Sequence, residues 1–198
     1  MIRRIAAIAV GVGLVAAGVT AVPAAGAPAT CDPFLTPADY KGATPTAKDV
    51  LGFDLGSQDV TVGQAAKFMG AVDAASDRVV TGTAATSVGG RPLEYAIVGS
   101  PDRVTPAALA EIRQGAASLR DPLLPASDVK TLTAEQPAIL WLSGNVHGNE
   151  PSGADASLKA LYELADRSDC VVDQILDEAI VVILPIQNPD GRQAGTRR

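Results

Sequence analysis

Apolar positions recur at helical spacing after Thr61, where Ala65, Phe68, Val72 and Ala75 fall on one face. Thr61 and Gln64 have the spacing of a capping box, in which each side chain satisfies a backbone donor that the first helical turn leaves free. The period then changes. Arg78 to Thr86 and Leu93 to Ser100 read as a strand pair, with Leu93, Tyr95 and Ile97 alternating against Glu94, Ala96 and Val98. Gly89 and Gly90 lie in the connecting turn, where positive φ is tolerated. Thr105 reads as the N-cap of a second helix, with Pro106 at the first position, where a missing N–H costs nothing. Leu109, Ile112, Ala116 and Leu119 mark its buried stripe. Asp121 to Gln136, rich in proline at its ends, reads as a loop or insertion.

The pattern changes again near the end. Ala138 to Ser143 and Ala179 to Leu184 are short, nearly continuous apolar runs, which suit central strands covered on both faces. Between them a helix begins near Ser152 and carries Ala154, Leu158, Leu161 and Ala165 on one side. Strand, helix, strand is a βαβ unit, so the two strands are expected to run parallel as neighbours or near neighbours. Ligands of such sheets bind beyond the carboxyl ends of the strands.

The first residues differ in kind. Arg3 and Arg4 precede an apolar, small-residue stretch from Ile5 to Val22, and Ala27-Pro28-Ala29 offers a cleavage pattern. Residues 1–29 therefore read as a signal peptide, and the protein is expected to be secreted without stable membrane association afterwards. Residues 30–57 read as an N-terminal arm with little regular structure, followed by a domain over 58–198. Composition narrows the partners. With 47% apolar and 19% charged residues the 198-residue chain can bury a core. Its net charge of −6 argues against a nucleic-acid partner, which needs a basic face to displace counterions. Two cysteines, Cys31 and Cys170, either pair in an oxidising compartment or stay as separate buried thiols.

Two segments beyond the apolar strands carry the chemistry. In Ser143-Gly144-Asn145-Val146-His147-Gly148-Asn149-Glu150, the only histidine of the chain stands three residues before a glutamate. On a turn, that spacing lets an imidazole nitrogen and a carboxylate converge on one ion, and zinc accepts both donor types. Gly144 and Gly148 allow the backbone to bend sharply there. The second segment, Asn188-Pro189-Asp190-Gly191, has the composition of a tight turn. Each motif alone is common.

Together, HGNE at His147 to Glu150 and NPDG at Asn188 to Gly191, each after an apolar strand, resemble the zinc carboxypeptidase family, the funnelin-type metallocarboxypeptidases (peptidase family M14). Gly89-Gly90-Arg91-Pro92-Leu93 is similar to that family's hairpin sequence. The resemblance spans about residues 60 to 198 and corresponds to the front part of a full catalytic domain. It implies a three-layer α/β/α fold with a mostly parallel or mixed central sheet, truncated at the C-terminus. It implies that His147 and Glu150 are two protein ligands of a catalytic Zn2+. It makes Arg197, in Thr196-Arg197-Arg198, the residue that polarises the scissile carbonyl.

The departures are equally specific. The family's second histidine ligand, its Asn-Arg pair for the substrate carboxylate and its glutamate base have no counterpart within the 198 residues. The leading expectation is a secreted zinc metallocarboxypeptidase acting on peptides, proteins or cell-wall peptides, with the 198-residue chain itself inactive. A zinc deacylase of the desuccinylase or aspartoacylase kind also uses an HxxE pair, but the export signal and NPDG count against it. The third reading is a non-catalytic secreted fragment with weak metal or peptide binding.

Overall fold

The computed structural model describes residues 31–195; the signal segment read at 1–29 and Arg197 lie outside them. In chain order the elements are α1 (Ala47–Leu51), α2 (Val62–Ala75), β1 (Val79–Thr86), β2 (Pro92–Val98), α3 (Pro106–Ser118), α4 (Ala126–Glu135), β3 (Ala138–Ser143), α5 (Ser152–Asp166), α6 (Cys170–Glu178), β4 (Ala179–Leu184) and α7 (Pro189–Gly195). The strands form one mixed sheet in the order β1-β2-β4-β3. β1 and β2 form the expected antiparallel hairpin, β2 runs antiparallel to β4, and β3 runs parallel to β4 from Ala138↔Ala179 to Ser143↔Leu184.

The two faces of the sheet are covered unequally. Ala96, Val98, Val181 and Ile183 point to one face and join Phe68, Met69 and Val72 of α2 and Leu158 and Leu161 of α5 in the main core. The capping box at Thr61 forms as the sequence suggests, with Gln64 N–H donating to the Thr61 hydroxyl and Thr61 N–H to Gln64. Of the α2 stripe, Ala65, Phe68 and Val72 are buried, and Ala75 is exposed at the helix end. All four residues expected on the inner side of α5 are buried. Over the opposite face lies α3, with only Ile112 and Gly115 buried. A groove of about 540 Å³ remains between α3 and the sheet, lined by Tyr95, Ile97, Leu109, Trp141 and Val182 among others.

Four expectations need correction. Of the stripe expected on α3, only Ile112 is buried; Leu109 and Ala116 are half-buried and Leu119 is exposed, because the groove keeps the helix off the sheet. β4 is buried along its length, but β3 is outermost in the sheet, and Ile139, Leu140 and Trp141 are each about half exposed. An unbroken apolar run reports that both faces suit burial; it carries no information on strand order. Residues 126–135, expected in a loop, form α4. None of its residues is buried, so no apolar stripe marks it. Its threonines bond back along the helix, Thr131 to Ser127 O and Thr133 to Val129 O. α1 lies within the arm; five residues are too few for a periodicity, though its capping box, Thr46 with Asp49, is visible in the sequence.

The arm is strapped to the junction of α5 and α6. Cys31 is disulfide-bonded to Cys170, with Cα atoms 5.9 Å apart, which settles the open question of the two thiols. The fully buried Asp166 carboxylate accepts backbone N–H bonds from Gly42, Ala43 and Thr44 at 2.9–3.1 Å. Burial opposes its ionisation, but these bonds outweigh it and hold the carboxyl below the usual range. Next to it, Arg167 donates to Asp169 at 2.6 and 3.0 Å. That contact, with N–H bonds from Asp39 and Val171, lowers the Asp169 carboxyl to about 2. Among the described residues no helix is long and apolar enough to cross a membrane.

Candidate metal centre

At the carboxyl ends of β3 and β4 the chain makes two loops that interlock. Gly144 N–H donates to Leu184 O, and Gln187 N–H donates to Gly144 O, extending the β3–β4 ladder past the strands. Asn188 N–H donates to Asn145 O, and the Asn188 amide donates to Val146 O at 3.1 Å. Ser143 Oγ donates to Gln187 Oε1 at 2.7 Å. Two glycines make the approach. A Cβ on Gly144 would stand 2.5 Å from Gly153 O, and one on Gly148 would overlap the backbone of Gly191. Both segments expected to share the sheet's carboxyl edge do so.

His147 and Glu150 occupy the first of these loops. Glu150 N–H donates to His147 O at 3.0 Å, closing a turn that leads through Pro151 into α5. Their side chains meet above it, His147 Nδ1 lying 3.1 Å from Glu150 Oε2, with both largely exposed. As an exposed pair this contact contributes little to stability. Its spacing suits a metal, because donors about 2.0–2.2 Å from a tetrahedral zinc stand roughly 3.3 Å apart. One imidazole nitrogen and one carboxylate oxygen are also a donor set zinc accepts. Among the described residues no third His, Cys, Asp or Glu side chain joins the pair.

Behind the pair lies a support that residue patterns did not reveal. Asn145 is 4% exposed and has φ of +52°. Its amide donates to the carbonyls of both His147, at 3.0 Å, and Glu150, at 2.8 Å. The sequence signal was an asparagine between a strand and a metal-type motif, a residue that tolerates the left-handed region.

The NPDG segment is more than the turn its composition suggests. Asn188 Oδ1 accepts the Gly191 N–H at 2.8 Å, and Pro189 begins α7. Proline suits a first helical position, so the same residues that favour a turn here open a helix. Asp190 reaches back to the β1–β2 hairpin and accepts from Gly89 N–H at 2.9 Å, Arg91 Nη1 at 2.7 Å and Ser87 Oγ at 2.9 Å. The Gly89 and Arg91 bonds, with the smaller Ser87 one, hold its carboxyl below the usual range. The two weaker-looking motifs of the sequence, GGRPL and NPDG, are thus joined by one carboxylate. Arg192, two residues on, is buried, and its Nε donates to Val60 O.

Residues 66–198 match the family described as zinc carboxypeptidase, Peptidase_M14. The chain belongs to the zinc carboxypeptidase family. Two relatives with carboxypeptidase names share a shorter stretch. "Probable carboxypeptidase 2" of Trichophyton verrucosum (strain HKI 0517) and "Carboxypeptidase 2" of Trichophyton tonsurans are each 40% identical over 52 residues, 26% of this chain. That stretch is 10% of either relative's own length. The crystal structure of carboxypeptidase A from Helicoverpa armigera superposes with a TM-score of 0.49 at 15% identity, covering 70% of this chain and 27% of that one. The mixed α/β architecture is the fold class that the sequence resemblance implies.

Proposed function

We propose that this chain carries the zinc-binding half-site of a secreted metallocarboxypeptidase. The observation that supports the reading is the convergence of His147 and Glu150 within 3.1 Å at the carboxyl edge of a parallel strand pair, on a loop locked to NPDG. His147 Nδ1 and a Glu150 carboxylate oxygen would hold the ion. When bound, zinc supplies Lewis acidity, lowering the pKa of a bound water and polarising a peptide carbonyl. The chain's own contribution is placement. The interlocked loops fix the backbone under both ligands, so ion capture does not have to order the turn. Arg197 is assigned to the charge that develops on the carbonyl oxygen, a role a guanidinium performs by donating to it. The substrate class is a peptide with a free C-terminal carboxylate. Export is supported by the signal-like residues 1–29 and by the Cys31–Cys170 bond, a linkage at home in oxidising compartments.

Zinc titration of the untagged 198-residue chain tests the ligand assignment. His147 is its only histidine, so the imidazole NMR signals report a single site. A saturable shift is expected, and Glu150→Ala should remove it. An identical response in the Glu150→Ala variant would rule out Glu150 as a ligand. For the activity, the protein expressed from its own gene should release the terminal residue of a peptide and spare the same peptide amidated at its C-terminus. Glu150→Ala should abolish the release; cleavage of the amidated peptide would point to a different hydrolase.

A further inference from the structure

We infer that Asn145 is a positioning residue for the metal pair, holding the HxxE turn in its ligating geometry before any ion arrives. The inference rests on the assignment of His147 and Glu150 as ligands. Both ligand side chains are largely exposed, at 71% and 64%, so little packs against them from outside. What fixes them lies underneath. Asn145 is the only non-glycine residue with positive φ among the described residues. That backbone turn drives its side chain inward, under the loop it begins.

There a single NH2 group bridges the two ends of the motif, donating to His147 O at 3.0 Å and Glu150 O at 2.8 Å. The orientation of the amide follows from its partners. Reversed, its oxygen would face two carbonyl oxygens, neither of which has a proton to give. The main chain of Asn145 is held as well, its carbonyl accepting from Asn188 N–H at 3.2 Å. One residue therefore links both ligand positions to the NPDG loop. Removing the amide takes one bond from each of the two carbonyls, so the link between the ends of the motif is lost, while the Glu150 N–H bond to His147 O and the Asn188 amide bond to Val146 O remain. The entropy of ordering the loop would then be charged to metal binding, and affinity would fall.

Two substitutions separate this role from a merely structural one. Asn145→Gly keeps the left-handed backbone at no steric cost and removes only the amide. Asn145→Asp keeps the shape but sets a carboxylate oxygen against the two carbonyls. The probe is Zn2+ alone, added to the oxidised, untagged chain, with affinity read from the His147 ring signals and stability from urea unfolding. The expected result is a zinc affinity about 10-fold to 100-fold lower in Asn145→Gly, read under conditions where its unfolding curve shows the variant fully folded. Asn145→Asp should lose at least as much affinity; should the glycine variant not fold, this variant's affinity decides. Equal zinc affinity in the unchanged chain and the folded variants would overturn the inference. If the unchanged chain shows no zinc response at His147, the ligand assignment itself fails and takes this inference with it, an outcome distinct from equal affinities.

Discussion

Replacing Cys170 with serine, or reducing its bond to Cys31, is expected to lower unfolding free energy by about 4 kcal/mol. The two cysteines lie 139 residues apart, so the bond closes almost the whole described chain into one loop. In the chain-entropy model, a loop of that size restricts the unfolded ensemble by close to the upper end of the usual range, about 4–5 kcal/mol. The folded side loses less. With the disulfide gone, the arm still has three N–H bonds on Asp166, and Tyr40 still donates to Glu163 at 2.8 Å. These contacts keep the arm docked in the native state, so the penalty comes through the unfolded chain rather than through a broken interface. Urea unfolding with and without a strong reductant measures it, and a difference below about 1 kcal/mol would contradict the loop argument. The same preparation tests export. Protein recovered from the culture medium should be oxidised and begin near residue 30, whereas an intact N-terminus on cell-retained protein would refute export with cleavage.

Gly148→Ala should be the most damaging glycine-to-alanine change among the described residues, costing about 3 kcal/mol and abolishing the zinc response. The added Cβ would overlap the carbonyl of Gly191 and the backbone nitrogen of Arg192. A flexible side chain can swing away from a clash, but these atoms belong to the opposing loop's main chain. The two loops must separate, breaking the Asn188 bonds to Asn145 and Val146 that tie NPDG beneath the metal pair. Gly70→Ala is the control. It lies within α2 with nothing within 4 Å of the added Cβ, so alanine there should stabilise by roughly 0.5–1 kcal/mol through helix propensity. Near-equal effects at the two positions would show that the loops yield more easily than their geometry indicates.

Legibility in the sequence followed the range of the interaction. Local devices were readable: the Thr61–Gln64 box, the Thr105-Pro106 helix start and the α5 stripe each depend on residues a few positions apart. The parallel β3–β4 pair was readable too, because a βαβ unit leaves little topological choice. α4 escaped because nothing in it is buried, and burial is what leaves a periodic trace. The position of β3 in the sheet escaped because a strand's composition is fixed by its faces and its order by other segments. At the candidate centre, His147 and Glu150 were found from spacing and context. Asn145 and the bonds of Asp190 to the hairpin were not, since they join residues through the backbone and across about a hundred positions. Motifs named the pieces, while the hydrogen bonds that bind GGRPL to NPDG, and NPDG to Asn145 and Val146 just before HGNE, exist only in three dimensions.

The outermost position of β3 has a practical side. Trp141 is the only tryptophan of the chain, and it stands half exposed on that strand, beside the groove under α3. An indole in water emits at long wavelength, and one enclosed by protein emits at shorter wavelength. The molecule therefore carries its own fluorescent gauge of whether that edge is open or covered, readable in dilute solution without a label.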